Sequence, residues 1–122
     1  MVQAIDEIRA TFPEASVTFR VDPEGGAYVT VEPVDPGVNY KERATWIGFR
    51  ITFQYPYADV YPHYVGGDLA RCDNGALGPG MSVTSWEGRP ATQISRRSNN
   101  LVATVDTAAI KLLKVLQWLS TR

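Results

Sequence analysis

A single cysteine has the clearest capacity for covalent chemistry in this chain. Cys72 lies in segment 68–80, which contains several glycines and few large apolar residues, so we expect an irregular surface loop there. A thiolate is a strong nucleophile that accepts acyl groups as thioesters. The positive charge of Arg71 favours the thiolate, and the negative charge of Asp73 opposes it. Two interpretations follow, a reactive thiol and an inert, incidental one.

Two other side chains could assist Cys72. Asn74 could donate a hydrogen bond to the oxyanion of a tetrahedral intermediate, because it lies close by in sequence. His63 could act as a base for the thiol, but a histidine that follows a proline at the start of a strand is more often partly exposed and hydrogen-bonded. With one cysteine and one histidine, the sequence offers no intramolecular disulfide and no multi-cysteine zinc site. We therefore expect neither a metal nor a cofactor.

The bulk composition narrows the classes of function. The chain has 122 residues, 44% of them hydrophobic and 20% charged, which is typical of one globular domain spanning residues 1–122. The formal net charge of -1 gives no general attraction for nucleic acid or an anionic membrane. No apolar run reaches the roughly 20 residues of a membrane-spanning helix, and the N-terminus lacks the pattern of a secretory signal. We expect a cytoplasmic protein that binds neither nucleic acid nor membrane.

The first half of the chain predicts a helix followed by strands. Apolar residues recur at helical spacing until Pro13, which predicts a short amphipathic helix with Val2, Ile5, Ile8 and Phe12 on its apolar side. Segments 17–21 and 27–31 alternate apolar and polar residues around a glycine-containing turn, and they predict a hairpin. The strongest strand pattern is at 46–54, and we expect this third strand to lie in the centre of the sheet.

The second half predicts an aromatic turn, short strands and a final helix. Prolines exclude a regular central strand from segment 55–62, a fourth strand follows at 63–65, and segments 81–86 and 91–95 predict a hairpin. Asp106 has the side chain of a helix N-cap. The helix after it has an apolar stripe of Ala109, Leu112, Leu113, Leu116 and Leu119, opposite Lys111, Lys114, Trp118 and Thr121.

The predicted fold class is therefore α+β. Its elements are an N-terminal helix, an antiparallel meander of about four strands, an irregular loop like that of an active site, a short hairpin and a C-terminal helix. The loop is the segment that contains Cys72.

This order of elements, together with two motifs, resembles the ubiquitin-conjugating enzyme superfamily. The motifs are the strand Phe49-Arg50-Ile51-Thr52-Phe53 running into Tyr55-Pro56, and the turn Asp59-Val60-Tyr61-Pro62. Segment 88–99, followed by a final helix with Trp118-Leu119, is similar to divergent bacterial members. Those members are encoded beside ubiquitin-like proteins, activating enzymes and metal-dependent deubiquitinase-like peptidases. The resemblance implies the fold of the family over the whole chain.

The resemblance also implies a function and partners. Cys72 would receive a ubiquitin-like protein from an activating enzyme as a thioester and pass it to an amine of a protein substrate. The His-Pro-Asn tripeptide of the family is absent, and Cys72 falls about where it would lie, so the motif assigns no oxyanion donor. The alternative is a non-catalytic family member that binds a ubiquitin-like protein or scaffolds a partner. A third hypothesis is an unrelated α+β domain that binds a small molecule or a subunit.

Overall fold

The computed structural model describes residues 2–96, 101–102 and 107–122. Within these residues the chain forms two helices and six strands, which confirms the α+β class and the predicted order of elements. The elements are α1 (Val2–Thr11), β1 (Ser16–Val21), β2 (Ala27–Val34), β3 (Thr45–Ile51), β4 (His63–Gly66), β5 (Met81–Trp86), β6 (Arg89–Ile94) and α2 (Ala108–Ser120). No helix in this part of the chain is long and apolar enough to cross a membrane.

All six strands belong to one antiparallel sheet in the order β1-β2-β3-β4-β6-β5. This corrects the prediction of a sheet of about four strands. The hairpin of β5 and β6 adds two strands, because β6 pairs with β4 from His63↔Ile94 to Gly66↔Ala91. The pairing satisfies backbone groups on an edge of β4 that a four-stranded meander would leave open. β3 lies inside the sheet between β2 and β4, as predicted.

Both helices pack against the same face of the sheet. Ile8 of α1, Phe49 of β3 and Leu112 of α2 belong to one buried cluster. The predicted stripe of α2 is wrong at Leu113, which is 47% exposed, and the predicted polar face is wrong at Lys111, which is buried. The helix is rotated so that the ammonium of Lys111 reaches a carboxylate inside the protein. The buried face of α2 consists of Ala108, Ala109, Lys111, Leu112, Val115 and Leu119.

The start of α2 is attached to the aromatic turn after β3. Thr107 caps the helix by accepting a hydrogen bond from Ile110 N–H at 3.3 Å, and the predicted cap Asp106 lies outside the described residues. The backbone N–H of Ala108 donates to the hydroxyl of Tyr55 at 3.0 Å. The aromatic turn contains no strand, as its prolines predict. Its tyrosine therefore fixes where the helix enters the core.

A two-residue turn connects β5 to β6. Glu87 and Gly88 have φ angles of 50° and 77°, the combination required by a type I′ turn. Trp86 pairs with Arg89 on either side of this turn. The turn follows the right-handed twist of the strands, so the hairpin can lie in register along β4.

Candidate functional site

Cys72 lies on the surface, in the loop between β4 and β5. Its side chain is exposed, and its backbone N–H donates to the carbonyl of Asn39 at 2.8 Å. The Sγ atom lies 3.5 Å from the carbonyl oxygen of Val38, close enough for the weak hydrogen bond of a thiol. The prediction of an irregular loop in segment 68–80 is confirmed. The segment at residues 38–39 of the same chain thus fixes the backbone at the thiol, while the sulfur stays open to solvent.

A short antiparallel ladder holds the thiol-bearing loop against the segment before β3. Tyr40 and Arg71 form an isolated β-bridge, and Lys41 N–H donates to the carbonyl of Ala70 at 2.8 Å. The carboxylate of Glu42 accepts a hydrogen bond from Ala70 N–H at 2.7 Å. Tyr40 is only 4% exposed and packs in the main core, so it anchors this ladder.

A cleft of about 330 Å³ opens beside the thiol. It is lined by Cys72 and by side chains of segment 35–43 that carry both signs of charge. Val38, at the rim, is 92% exposed. The cleft offers room for an extended peptide end next to the sulfur.

The cation next to the thiol is paired with a carboxylate. Arg71 Nε and Nη2 donate to the two carboxylate oxygens of Asp73 at 3.0 and 2.9 Å, and Nη1 donates to the carbonyl of Arg122 at 2.6 Å. The hydrogen bonds from Arg71, followed by one from Gly75 N–H, lower the pKa of Asp73 to about 2. The negative charge of Asp73 therefore compensates the guanidinium that the sequence places beside the thiol.

Asn74 lies at the end of the turn that contains Cys72. Its backbone N–H donates to the carbonyl of Arg71 at 3.1 Å and closes this turn, and its φ of 60° is in the left-handed region that asparagine tolerates. The side-chain Oδ1 accepts a hydrogen bond from the ammonium of Lys41. The Nδ2 group is then the end of the amide that is directed away from Lys41. Sequence reasoning missed Lys41, because no local pattern links these two positions.

His63 lies in the core, at the start of β4, so the expectation of a partly exposed, hydrogen-bonded histidine is wrong. Its side chain is fully buried, and its ring centroid lies 5.1 Å from that of Phe49. Neither ring nitrogen has a hydrogen-bond partner among the described residues, so no hydrogen bond joins His63 to Cys72. Burial, followed by the positive charge of Lys111, lowers the pKa of His63 to about 3. The imidazole is therefore neutral at pH 7 and closed to solvent.

A buried ion pair between α2 and the aromatic turn was also missed. Lys111 Nζ donates to Asp59 Oδ2 at 3.1 Å and to the carbonyl of Arg96 at 2.8 Å. The Lys111 side chain is 5% exposed, and burial lowers its pKa. The partners are 52 residues apart, so helical periodicity alone assigned Lys111 to the solvent side. In the described part of the chain, no group of three or more His, Cys, Asp or Glu could hold a metal ion.

The opposite face of the sheet carries a second cluster that sequence reasoning missed. The ring of Trp86 stacks on those of Trp46 and Tyr64, with centroid distances of 5.8 and 5.7 Å. The guanidinium of Arg89 lies 4.1 Å from the ring centre of Trp46. Gly48 makes room for this stack, because a Cβ there would overlap the Trp86 ring. The alternation of β3 contains the signal, since it places Trp46 and Gly48 on one face.

No protein-family model, curated protein or solved structure matches this chain. The resemblance to ubiquitin-conjugating enzymes therefore rests on the sequence motifs and on the order of the elements.

Proposed function

We propose that this chain is a ubiquitin-conjugating-enzyme-like protein that carries a ubiquitin-like protein as a thioester on Cys72. One observation carries the proposal: the thiol is exposed, and its backbone is held by the hydrogen bond to Asn39 and by the ladder at Tyr40. A thiol that receives an acyl group from another protein must be reachable by that protein's C-terminus and must keep a defined position. The exposed loop and the adjacent cleft meet both requirements.

The chemistry consists of two acyl transfers without a change in oxidation state. In the first, Cys72 Sγ attacks the thioester carbonyl on the activating enzyme; a new C–S bond forms, the old one breaks, and the departing sulfur takes the thiol proton. In the second, an amine of the protein substrate attacks the Cys72 thioester; a C–N bond forms and the cysteine sulfur leaves with a proton from the amine. Asn74 Nδ2 donates to the oxyanion of each tetrahedral intermediate, and Lys41 holds the other end of that amide.

The layout of the chain supports this proposal. Strands β1 to β4 are neighbours in chain order, α1 precedes them, and the loop with Cys72 follows β4. This is the order that the resemblance implies. The mechanism takes no base from the core, so His63 has no part in it.

Thioester formation tests the proposal directly. The chain is incubated with ATP, an activating enzyme and its cognate ubiquitin-like protein from a bacterial conjugation pathway, and the products are separated with and without reductant. We expect one adduct that reductant removes. Cys72→Ala should give none, and Cys72→Ser should give an ester adduct that resists thiols, because an oxygen ester exchanges with thiols far more slowly than a thioester.

The chain has a single cysteine, so the Cys72 variants leave no second thiol to confuse the assay. A reductant-sensitive adduct of the same yield in Cys72→Ala would exclude the proposal. Lack of any adduct with the wild-type chain, while a known conjugating enzyme is charged in the same mixture, would exclude it as well.

A second candidate is a non-catalytic protein of the same fold that binds a ubiquitin-like protein. The pairing of Arg71 with Asp73 favours it, since the cation that could support a thiolate is already engaged. This function predicts that Cys72→Ala leaves binding of the ubiquitin-like protein unchanged in a calorimetric titration. No binding up to several hundred micromolar would exclude it.

A further inference from the structure

We propose that the outer edge of β5 binds the same edge of a second copy of this chain, so that two six-stranded sheets join into one continuous sheet. The two β5 strands run antiparallel, with a two-fold axis at Val83. β5 is the last strand of the sheet order and has a paired neighbour on one side only in the described part of the chain. The interface goes beyond the thiol chemistry and does not depend on it, because it involves β5 alone.

The hydrogen bonds of β5 alternate between β6 and the open edge. Trp86 and Arg89 close the two-residue turn and form a hydrogen-bonded pair, and at the other end Ser95 N–H donates to the carbonyl of Gly80 at 2.8 Å. Every second residue between these ends turns its N–H and C=O away from β6. Those residues are Met81, Val83 and Ser85. In residues 2–96, 101–102 and 107–122, no strand or side chain binds these outward groups.

The outward groups are self-complementary. In an antiparallel pair centred on Val83, Met81 of one copy lies opposite Ser85 of the other, and the two Val83 residues face each other. Each of these three pairs exchanges two hydrogen bonds, which gives about six between the copies. Val83 is 82% exposed in the isolated chain, and in this register its side chain lies beside its symmetry mate. The pairing therefore covers part of an exposed valine.

The composition of β5 distinguishes it from a protected edge. Its sequence, MSVTSW, contains no charge and no proline, so no like charges meet across the two-fold axis. The other edge strand, β1, contains Arg20, and Arg9 Nη2 donates to the outward carbonyl of Val17 at 3.2 Å. β1 thus has the charge and the blocked backbone group that natural edges use against pairing, and β5 has neither.

The size of the edge sets the expected affinity. One pair of short strands buries less than the roughly 800 Å² per partner that is usual in stable complexes. We therefore expect a weak dimer, with a dissociation constant on the order of 100 µM.

Sedimentation equilibrium of the full chain tests the proposal, from about 10 µM to about 1 mM and with reductant present to prevent disulfides through Cys72. Val83→Lys brings two ammonium groups together at the axis, and we expect it to weaken association at least about tenfold. Val21→Lys makes the same change on the β1 edge, where Val21 is 67% exposed, and should leave association unchanged. Both positions are exposed, so both variants should keep the wild-type circular dichroism spectrum.

Backbone amide NMR of the wild-type chain gives a second readout that needs no variant. The amides of Met81, Val83 and Ser85 should shift with concentration and exchange more slowly at high concentration, because they become bonded. A wild-type chain that stays monomeric at about 1 mM would overturn the proposal. So would equal weakening by the two lysine variants, dimerisation of Val83→Lys at wild-type strength, or concentration-dependent shifts confined to other residues.

Discussion

Cys72 and His63 are close in sequence and lie in opposite environments. Cys72 is exposed on a loop whose backbone is bonded to the segment before β3, whereas His63 begins a strand inside the sheet and is fully buried. The chain leaves the helix-covered sheet after Gly66, and this change of environment separates the two residues. Cys72 is therefore accessible to another protein, whereas His63 is not.

Cys72 and His63 also differ in whether their polar atoms have hydrogen-bond partners. At Cys72, the backbone N–H and the thiol both have carbonyl partners. At His63, both ring nitrogens lack a partner among the described residues, and an unsatisfied buried group costs about 1–3 kcal/mol. The unpaired nitrogens of His63 therefore lie in the core, whereas the backbone N–H and the thiol of the exposed Cys72 are hydrogen-bonded. Three experiments test this difference.

The largest effect should appear in thioester formation. Cys72→Ala removes the acceptor and should abolish the adduct, whereas His63→Leu should form it within about twofold of the wild-type rate. Loss of a general base typically costs about 100-fold or more, so the two outcomes are well separated. A folded His63→Leu variant that is charged about 100-fold more slowly would show that the imidazole acts in the chemistry.

Chemical labelling should separate the two residues next. Iodoacetamide should alkylate Cys72 in the native chain at about the rate of an unfolded control, because the thiol is exposed. Diethyl pyrocarbonate should modify His63 at least about 100-fold more slowly than in denaturant, since the ring is reached only after local opening. Mass spectrometry of tryptic peptides measures both rates. Rapid native modification of His63 would contradict the burial on which the comparison depends.

The smallest effect concerns stability against pH. The pKa of His63 is depressed from 6.5 to about 3, so below pH 6.5 the unfolded chain binds a proton that the folded chain does not. The contribution of the neutral His63 side chain to the free energy of unfolding is therefore complete above pH 6.5. It is lost progressively as the pH falls toward 3. Between pH 7.5 and pH 5.0 we expect the wild type to lose about 2 kcal/mol more than His63→Leu in urea unfolding. Equal losses in the two proteins would show that the histidine titrates normally in the folded state.

Local patterns predicted the elements better than their assembly. α1 ends at Thr11, two residues before Pro13, and β3 is interior, as the apolar alternation indicates. The pairing of β6 with β4 was missed, because the choice of a partner across a long loop is decided by tertiary packing. The burial of Lys111 was missed for the same reason, since its partner Asp59 lies in a distant turn.

Some features of the candidate site could likewise be predicted from the sequence, and others could not. Sequence composition predicted that Cys72 lies in an irregular loop, and the opposing charges of Arg71 and Asp73 were visible as neighbours. Exposure of the thiol and the contact of Lys41 with Asn74 depend on how the segment before β3 folds back along the loop. No periodicity encodes that arrangement, so it required a structure.

The ring of Trp86 packs over Gly48 of β3. The hairpin of β5 and β6 therefore contacts β3 through this ring and also pairs with β4. Because the hairpin is attached at two places, the sheet cannot unfold from that end one strand at a time. We expect the hairpin and the N-terminal strands to melt together, although a long loop separates them in the chain. Position 48 has room for the hydrogen of glycine and for no larger side chain, because a Cβ there would overlap the Trp86 ring.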